Sequence, residues 1–243
     1  MKAKSLQGLG ENMGDLKVLM FSKKRNVFCD YAEALLKSSF ADKEFLSIRG
    51  AVGDHLDEEL HWYRPEYILS FVSPWIIPKS LLDSAQKAAV NFHPGSPAYP
   101  GTGCYNFALY EGAQEYGVTV HHMKETVDSG AIVMTSSFAI APFESVETLK
   151  LKSMNHLLYC FEKIIGLISK GQPLPVSEET WKRKPFTRKE MLELFRIDPA
   201  RHDLAEVERR IRAAEYPGSP GAFLSVEGRA FYYPYETRRP IVD

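Results

Sequence analysis

Hydrophobic and polar positions come in blocks along this chain. Residues 16–21 (LKVLMF) form a short, nearly continuous apolar run, residues 22–26 are polar, and a helical spacing of apolar positions follows through Tyr31, Ala34 and Leu35. This pattern predicts a strand, a loop and a helix. It recurs with strands at 44–48, 67–72 and 88–92, and with a helix around 56–63. Short buried strands alternating with helices predict a mostly parallel sheet covered on both faces, because parallel strands need crossover connections. The expected fold class is therefore α/β. Two further strands, 117–123 and 132–139, precede a long amphipathic helix over 146–169, and 171–175 reads as a boundary. Beyond residue 180 the chain is charged and prolines recur, with a helix at 204–214 and an alternating stretch at 222–233 that suits a hairpin. The expected organisation is a flexible tail at 1–15, a main domain at 16–175 and a small C-terminal α+β domain at 176–243.

Ligands of open α/β sheets sit beyond the carboxyl ends of the strands, which directs attention to 22–26, 73–77 and 91–97. Asn91-Phe92-His93-Pro94 emerges directly from a predicted strand. Residues two apart in a strand point to the same side, so Asn91 and His93 face one pocket. Asp128-Ser129-Gly130 lies between two strands, where a carboxylate can approach the same pocket. Acyl transfer needs a donor for charge on the carbonyl oxygen, a base for the attacking group's proton and an anion to orient that base. Asn91, His93 and Asp128 supply these three in turn. Taken singly, each motif reads as a turn: Asn-x-His as a cap with a surface histidine, Asp-Ser-Gly as a tight reversal.

Composition narrows the field. A chain of 243 residues with 44% hydrophobic content can bury one sizeable core and carry a small appendage. A formal net charge of -1 gives no general attraction to nucleic acid or anionic lipid, so an anionic substrate must meet a local patch. Cys29, Cys104 and Cys160 form neither a CxxC pair nor a disulfide framework, which suits a reducing compartment and implies no metal. The first fifteen residues lack an apolar core of signal-peptide length, and no later stretch approaches a membrane span, so a cytoplasmic protein is expected.

Three segments belong together: FVSPWIIPKSLL (71–82), VNFHPGSPAYPGTGCYNFALYEG (90–112) and GVTVHHMKETVDSGAIV (117–133). In order and spacing they resemble the catalytic core of the folate-dependent formyltransferases, the group that holds methionyl-tRNA formyltransferase and glycinamide ribonucleotide transformylase. The resemblance implies a Rossmann-like sheet, a catalytic trio at Asn91, His93 and Asp128, and 10-formyltetrahydrofolate as formyl donor. An amine can attack a formyl carbon directly, so no serine or cysteine nucleophile is required. The resemblance also implies a pterin pocket built largely from backbone groups, here at Pro74, Trp75, Ile76 and Ile77 and at Lys124, Glu125 and Val127, with the loop 95–103 closing over it. The side chains of Trp75, Ile76 and Ile77 can pack in the core while their backbones bind. The glycine-rich phosphate loop that purine-pathway members carry after the first strand is replaced by Ser22-Lys23-Lys24-Arg25-Asn26, which speaks against a ribonucleotide held there.

The acceptor is approached through RIRAAEYPGSPGAF (210–223), which resembles the segment that follows the catalytic domain in sugar formyltransferases. The tRNA-formylating relatives add a full barrel domain, for which the stretch after 180 is too short, and the charge balance also disfavours tRNA. The resemblance thus implies the amine of a nucleotide-linked amino deoxysugar, used in lipopolysaccharide O-antigen or other surface-glycan synthesis, with no nucleic acid, membrane or metal partner. Candidate contacts to such a substrate are Lys23, Arg25, Tyr99, Tyr105 and Arg212, which offer charge or stacking faces. The alternatives are a solvated basic loop for Lys23 and Arg25, packing within the lid loop for Tyr99 and Tyr105, and cover over apolar neighbours for Arg212. Rival functions are formylation of another amine (an amino acid on a peptide synthetase, hydroxyornithine, or methionyl-tRNA), formyltetrahydrofolate hydrolysis, and non-catalytic folate binding. An exposed strand edge near 222–233 suggests a homodimer.

Overall fold

The computed structural model describes residues 16–41 and 44–233, so the tail expected at 1–15 lies outside the described residues. Six strands form the main sheet: β1 (Val18–Lys23), β2 (Phe45–Gly50), β3 (Tyr67–Phe71), β4 (Ala88–His93), β5 (Glu115–His122) and β6 (Ile132–Ala139), in the order β2-β1-β3-β4-β5-β6. The first four strands are mutually parallel, as the alternation of strands and helices leads one to expect, and β5 runs antiparallel to both its neighbours, β4 and β6.

Side chains alternate across this sheet. Val18 and Met20, Leu69 and Phe71, Val90 and Phe92, and Val118 and Val120 point to one face, where they pack beneath helices α1 (Val27–Ser39) and α4 (Val146–Ser169). Leu19, Phe21 and Ile68 point to the other, against Leu56, Leu60, Tyr63, Ile77 and Leu81, the last from the short helix α2 (Lys79–Leu82). Helix α4 opens on a capping box in which the Ser145 hydroxyl accepts from Thr148 N and Thr148 Oγ1 accepts from Ser145 N. Its stripe of Leu149, Leu157, Phe161, Ile164 and Ile168 is buried, each such side chain contributing about 1.5–3 kcal/mol.

The helix expected around 56–63 is instead a 3-10 turn, Glu58–Tyr63. Pro65 is the physical reason: it disfavours helical backbone at the preceding residue, and Arg64 turns to φ 45°. Two elements that periodicity did not reveal also matter. Helix α3 (Cys104–Tyr110) starts directly behind the candidate loop, and helix α5 (Arg188–Phe195) opens on a capping box between Thr187 and Glu190.

An extended strap, 172–187, leads to the C-terminal elements: α5, α6 (Leu204–Ala214) and a second sheet of β7 (Arg196–Ile197), β8 (Phe223–Val226) and β9 (Arg229–Tyr232) in the order β7-β8-β9. The hairpin expected over 222–233 is β8 and β9. This smaller unit shares its core with the main sheet, because Leu194, Phe195, Ala213 and Ala214 pack with Phe107, Tyr116 and Leu149. Among the described residues no helix is long and apolar enough to cross a membrane.

Candidate active site

The trio expected from the motifs meets at the carboxyl end of β4. Asn91 lies opposite His121 in the antiparallel β4–β5 register, and His93 lies two residues further along. The turn after β5 carries Asp128 back to them. His93 Nδ1 is 3.1 Å from Asp128 Oδ2, and Gly101 N donates to the same oxygen at 2.7 Å. Asn91 Nδ2 donates toward Asp128 Oδ1 at 3.4 Å and lies 3.1 Å from His121 Nε2. His121 Nδ1 lies 2.9 Å from the His122 carbonyl oxygen, and its Nε2 lies 3.2 Å from Asp128 Oδ1, so Asn91, His121 and Asp128 share one polar cluster.

The local sequence makes this turn possible. Asp128 adopts φ 45°, a left-handed conformation that Asp tolerates. At Gly130 a Cβ would stand 1.7 Å from the His122 carbonyl oxygen, so only glycine brings the turn this close to β5. On the facing side Val72, directly after β3, sits at φ 51°. A β-branched residue there is strained, and strain of this kind concentrates at functional sites.

Electrostatics separate the two titratable members. Burial pushes the Asp128 carboxyl upward, but the neighbouring imidazoles, His93 foremost, and the Gly101 amide outweigh it and hold the group well below the usual carboxylate range. Asp128 is therefore an anion at neutral pH. Burial lowers the pKa of His93, against the pull of Asp128 and the Tyr99 carbonyl, so the resting imidazole is neutral. Yet both neighbours of its ring nitrogens are acceptors: Asp128 Oδ2 at Nδ1, and the Tyr99 carbonyl 3.0 Å from Nε2. A neutral ring donates to one of them and an imidazolium to both. The surroundings thus complement the protonated ring that a proton transfer creates, while dehydration keeps the resting ring ready to accept. Cys104 also borders the site, but burial pushes its thiol to about 11, so it is not a nucleophile at neutral pH.

A cavity of about 320 Å³ opens beside the trio. Pro74, Trp75, Ile76 and Ile77 line one wall, Lys124 and Val127 the other, and Asn91, His93 and Asp128 the floor. Glu125 is not among its lining residues. The Trp75 indole turns away from it, packing on Gly50 and Phe21 and donating to the Asp54 carbonyl at 2.8 Å, which leaves the backbone of this segment to the cavity. A second hollow of about 760 Å³ meets the first at Gly101, Val127 and Asp128 and extends along the strap, past Trp181, Arg183 and Phe186.

The residues expected to hold a substrate separate into two groups. Lys23 and Arg25 lie at the carboxyl end of β1, the sheet edge that carries the cleft, but line neither hollow. Neither forms an ion pair among the described residues, whereas Lys24 is taken by Asp54 at 2.8 Å. Tyr99, in the lid loop, and Tyr105, at the start of α3, both pack their rings against Tyr116; Tyr99 is buried in the core shared with the C-terminal unit and Tyr105 lies partly buried against it. The Arg212 guanidinium donates to the carbonyls of Pro142 and Glu144, both at 3.0 Å, and so ties α6 to the loop before α4; it lines neither hollow.

Two residues at the site escaped the sequence reading. His121 stood next to His122 in a strand, and only the register opposite Asn91 distinguishes it. Trp181 lies beyond the expected boundary at 175, in a charged stretch without periodicity, and reaches the site because the strap runs alongside the lid loop. Lys182 N donates to the Pro97 carbonyl, Phe186 N to the Pro100 carbonyl and Thr102 N to the Phe186 carbonyl, all at 2.9 Å. Gly101 permits this pairing: at φ 86° it lies so close that a Cβ would stand 2.3 Å from the Phe186 carbonyl oxygen.

Residues 12–159 match the family described as formyl transferase. The GDP-perosamine N-formyltransferases of Brucella melitensis and Brucella abortus are 28% identical to the chain over 177 residues, which is 71% of this chain. The match spans only 65% of the length of those relatives. Among solved structures, a sugar N-formyltransferase from Shewanella sp superposes with a TM-score of 0.76 at 15% identity, over 91% of this chain and 97% of that one. HypX from Aquifex aeolicus, in complex with tetrahydrofolic acid, superposes with a TM-score of 0.66 at 19% identity, over 89% of this chain and 37% of that one. At these identities the structural likeness establishes a shared fold.

Proposed function

Because the chain belongs to the formyl transferase family, we propose that it moves a formyl group from 10-formyltetrahydrofolate to the amine of a nucleotide-linked amino deoxysugar. One observation carries the reading: Asn91, His93 and Asp128 converge at the floor of one cleft, with the carboxylate 3.1 Å from the imidazole. The donor side is supported by the largely apolar cavity between 74–77 on one side and Lys124 and Val127 on the other, which suits a flat ring, and by the tetrahydrofolic acid complex of HypX. The sugar acceptor is supported by the names of the Brucella and Shewanella proteins. Lys23 and Arg25, free of ion pairs among the described residues at the carboxyl end of β1, are the candidates for meeting the diphosphate.

In this reading the neutral sugar amine attacks the formyl carbon, the new C–N bond forms, and the bond to the folate nitrogen breaks. The Asn91 amide donates to the formyl oxygen as negative charge grows there. His93 accepts the amine proton, Asp128 with the Tyr99 carbonyl stabilises the imidazolium, and the ring then returns the proton to the departing folate nitrogen. A main domain at 16–175, a smaller unit at 176–243, cytoplasmic residence, pairing of two copies and a role in lipopolysaccharide or other surface-glycan synthesis accompany the proposal.

The test is an assay with 10-formyltetrahydrofolate against a panel of nucleotide-linked 3- and 4-amino deoxysugars, with hydroxyornithine and aminoacyl carriers as controls. Tetrahydrofolate release that depends on an amino sugar supports the reading. Release with any other amine alone, or with no amine, overturns the sugar assignment.

A further inference from the structure

Trp181 lies far along the chain from the trio, yet three contacts hold it to that site. Its Nε1 donates to the Gly130 carbonyl at 2.8 Å, within the turn that carries Asp128. Its ring stands T-shaped to His121, with centroids 5.1 Å apart, and T-shaped to His93 at 6.0 Å. It also forms part of the wall of the second hollow, which meets the first at Asp128. A residue that merely filled the strap would need none of these: Lys182 and Phe186, further along it, attach the strap to the lid loop through backbone hydrogen bonds.

We propose that Trp181 is a positioning residue of the formyl-transfer site, covering the His93 and His121 rings from the strap and tying the Asp128–Gly130 turn in place through its indole N–H. The role rests on the function proposed above, and it deepens that function by making the segment after 175 part of the catalytic geometry.

Two consequences distinguish it from simple packing. The aromatic cover contributes to the dehydration that keeps His93 neutral. The groups that face His93 are Asn91 on its own strand, His121 on β5, Asp128 on the turn, Cys104 at the start of α3, the Tyr99 carbonyl of the lid loop, and Lys124 across the cavity. Among the described residues Trp181 is the ring in T-shaped contact with His93, and a substitution removes it without changing a charge. The N–H tie acts separately, on the position of the carboxylate.

The experiment compares Trp181→Phe and Trp181→Ala in the full chain. The His93 imidazole is titrated by NMR on isotope-labelled protein, its resonance assigned by its loss in His93→Gln. Trp181→Ala is expected to move the His93 pKa upward, toward the ordinary imidazole value, while Trp181→Phe, which keeps the cover, leaves it near the parent's. Trp181→Phe loses only the tie to Gly130, so kcat should fall about ten- to a hundredfold with KM for the folate donor little changed. An unmoved His93 titration in Trp181→Ala, or parental kcat in Trp181→Phe, overturns the proposal. Should Trp181→Ala fail to fold, the kcat of Trp181→Phe decides. Should no amine be formylated by the parent, the function proposed above fails, and the titration still decides whether Trp181 covers His93.

Discussion

His93 Nδ1 and Asp128 Oδ2 lie 3.1 Å apart with both side chains almost fully buried, an imidazole and a carboxylate from segments 35 residues apart in the chain, since 128 − 93 = 35. An anion so placed stabilises positive charge on the ring and fixes its orientation. Asp128→Asn keeps the shape and removes the charge. It is expected to reduce kcat by about 10²–10⁴-fold, the range over which positioned acid–base groups act, with KM for the donor nearly unchanged. Steady-state kinetics against both substrates check this; parental turnover would show that the carboxylate has no part in the proton transfer.

The pH dependence follows from the same pair. His93 must be neutral to accept a proton, and its burial lowers its pKa below the ordinary imidazole value of about 6.5. The acid limb of kcat/KM should therefore fall below about pH 6.5. Asp128 works in the opposite direction, raising the His93 pKa, so the residual activity of Asp128→Asn should show that limb displaced to still lower pH. A limb above the ordinary imidazole value in the parent would contradict the assignment of His93 as base.

In the proposed mechanism Asn91 is the donor to the growing oxyanion. Asn91→Ala should lower kcat by about 10²–10³-fold, the cost of one such donor, and leave the fold intact. Because His121 holds the amide, His121→Phe should weaken turnover less than loss of the amide itself. Kinetics of the two variants side by side give the ordering, and the reverse order would show that the amide is not the oxyanion donor.

The closeness of the Asp128 turn to β5 depends on the absence of a side chain at Gly130. Gly130→Ala drives a Cβ into the His122 backbone, where nothing flexible can yield, and should lower thermal stability as well as activity. Arg212→Ala gives a contrasting result. Its guanidinium ties α6 to the carbonyls of Pro142 and Glu144, so stability should fall while KM for the acceptor stays at the parental value. Thermal unfolding and acceptor titration read both outcomes, and a raised acceptor KM in Arg212→Ala would return that residue to the substrate site.

Much of this was legible in the sequence because it is local. Short, nearly continuous apolar runs identified the strands of the main sheet, and 146–169 carried enough turns of apolar stripe to define α4 end to end. Asn91 and His93 share a strand, so their common side follows from backbone geometry alone. What was not legible depends on contacts between distant segments. Tyr99 and Tyr105 carry the same residue type whether they meet a nucleotide or pack on Tyr116, and only the path of the lid loop and α3 brings their rings to that one. Trp181 sits in a stretch whose path is set by backbone pairing with residues 97–102, a relation that leaves no periodicity in the sequence. Helix α5 is short, and its only local sign is the Thr187–Glu190 capping box.

The most direct measurement is a single turnover with donor carrying a ¹³C-labelled formyl group, in the presence of a nucleotide-linked amino sugar, for the parent and Asp128→Asn. The account predicts that the label moves to the sugar amine as a formamide in the parent and is retained on the donor in the variant over the same interval. Label released as formate, or transferred equally fast by both proteins, would contradict it.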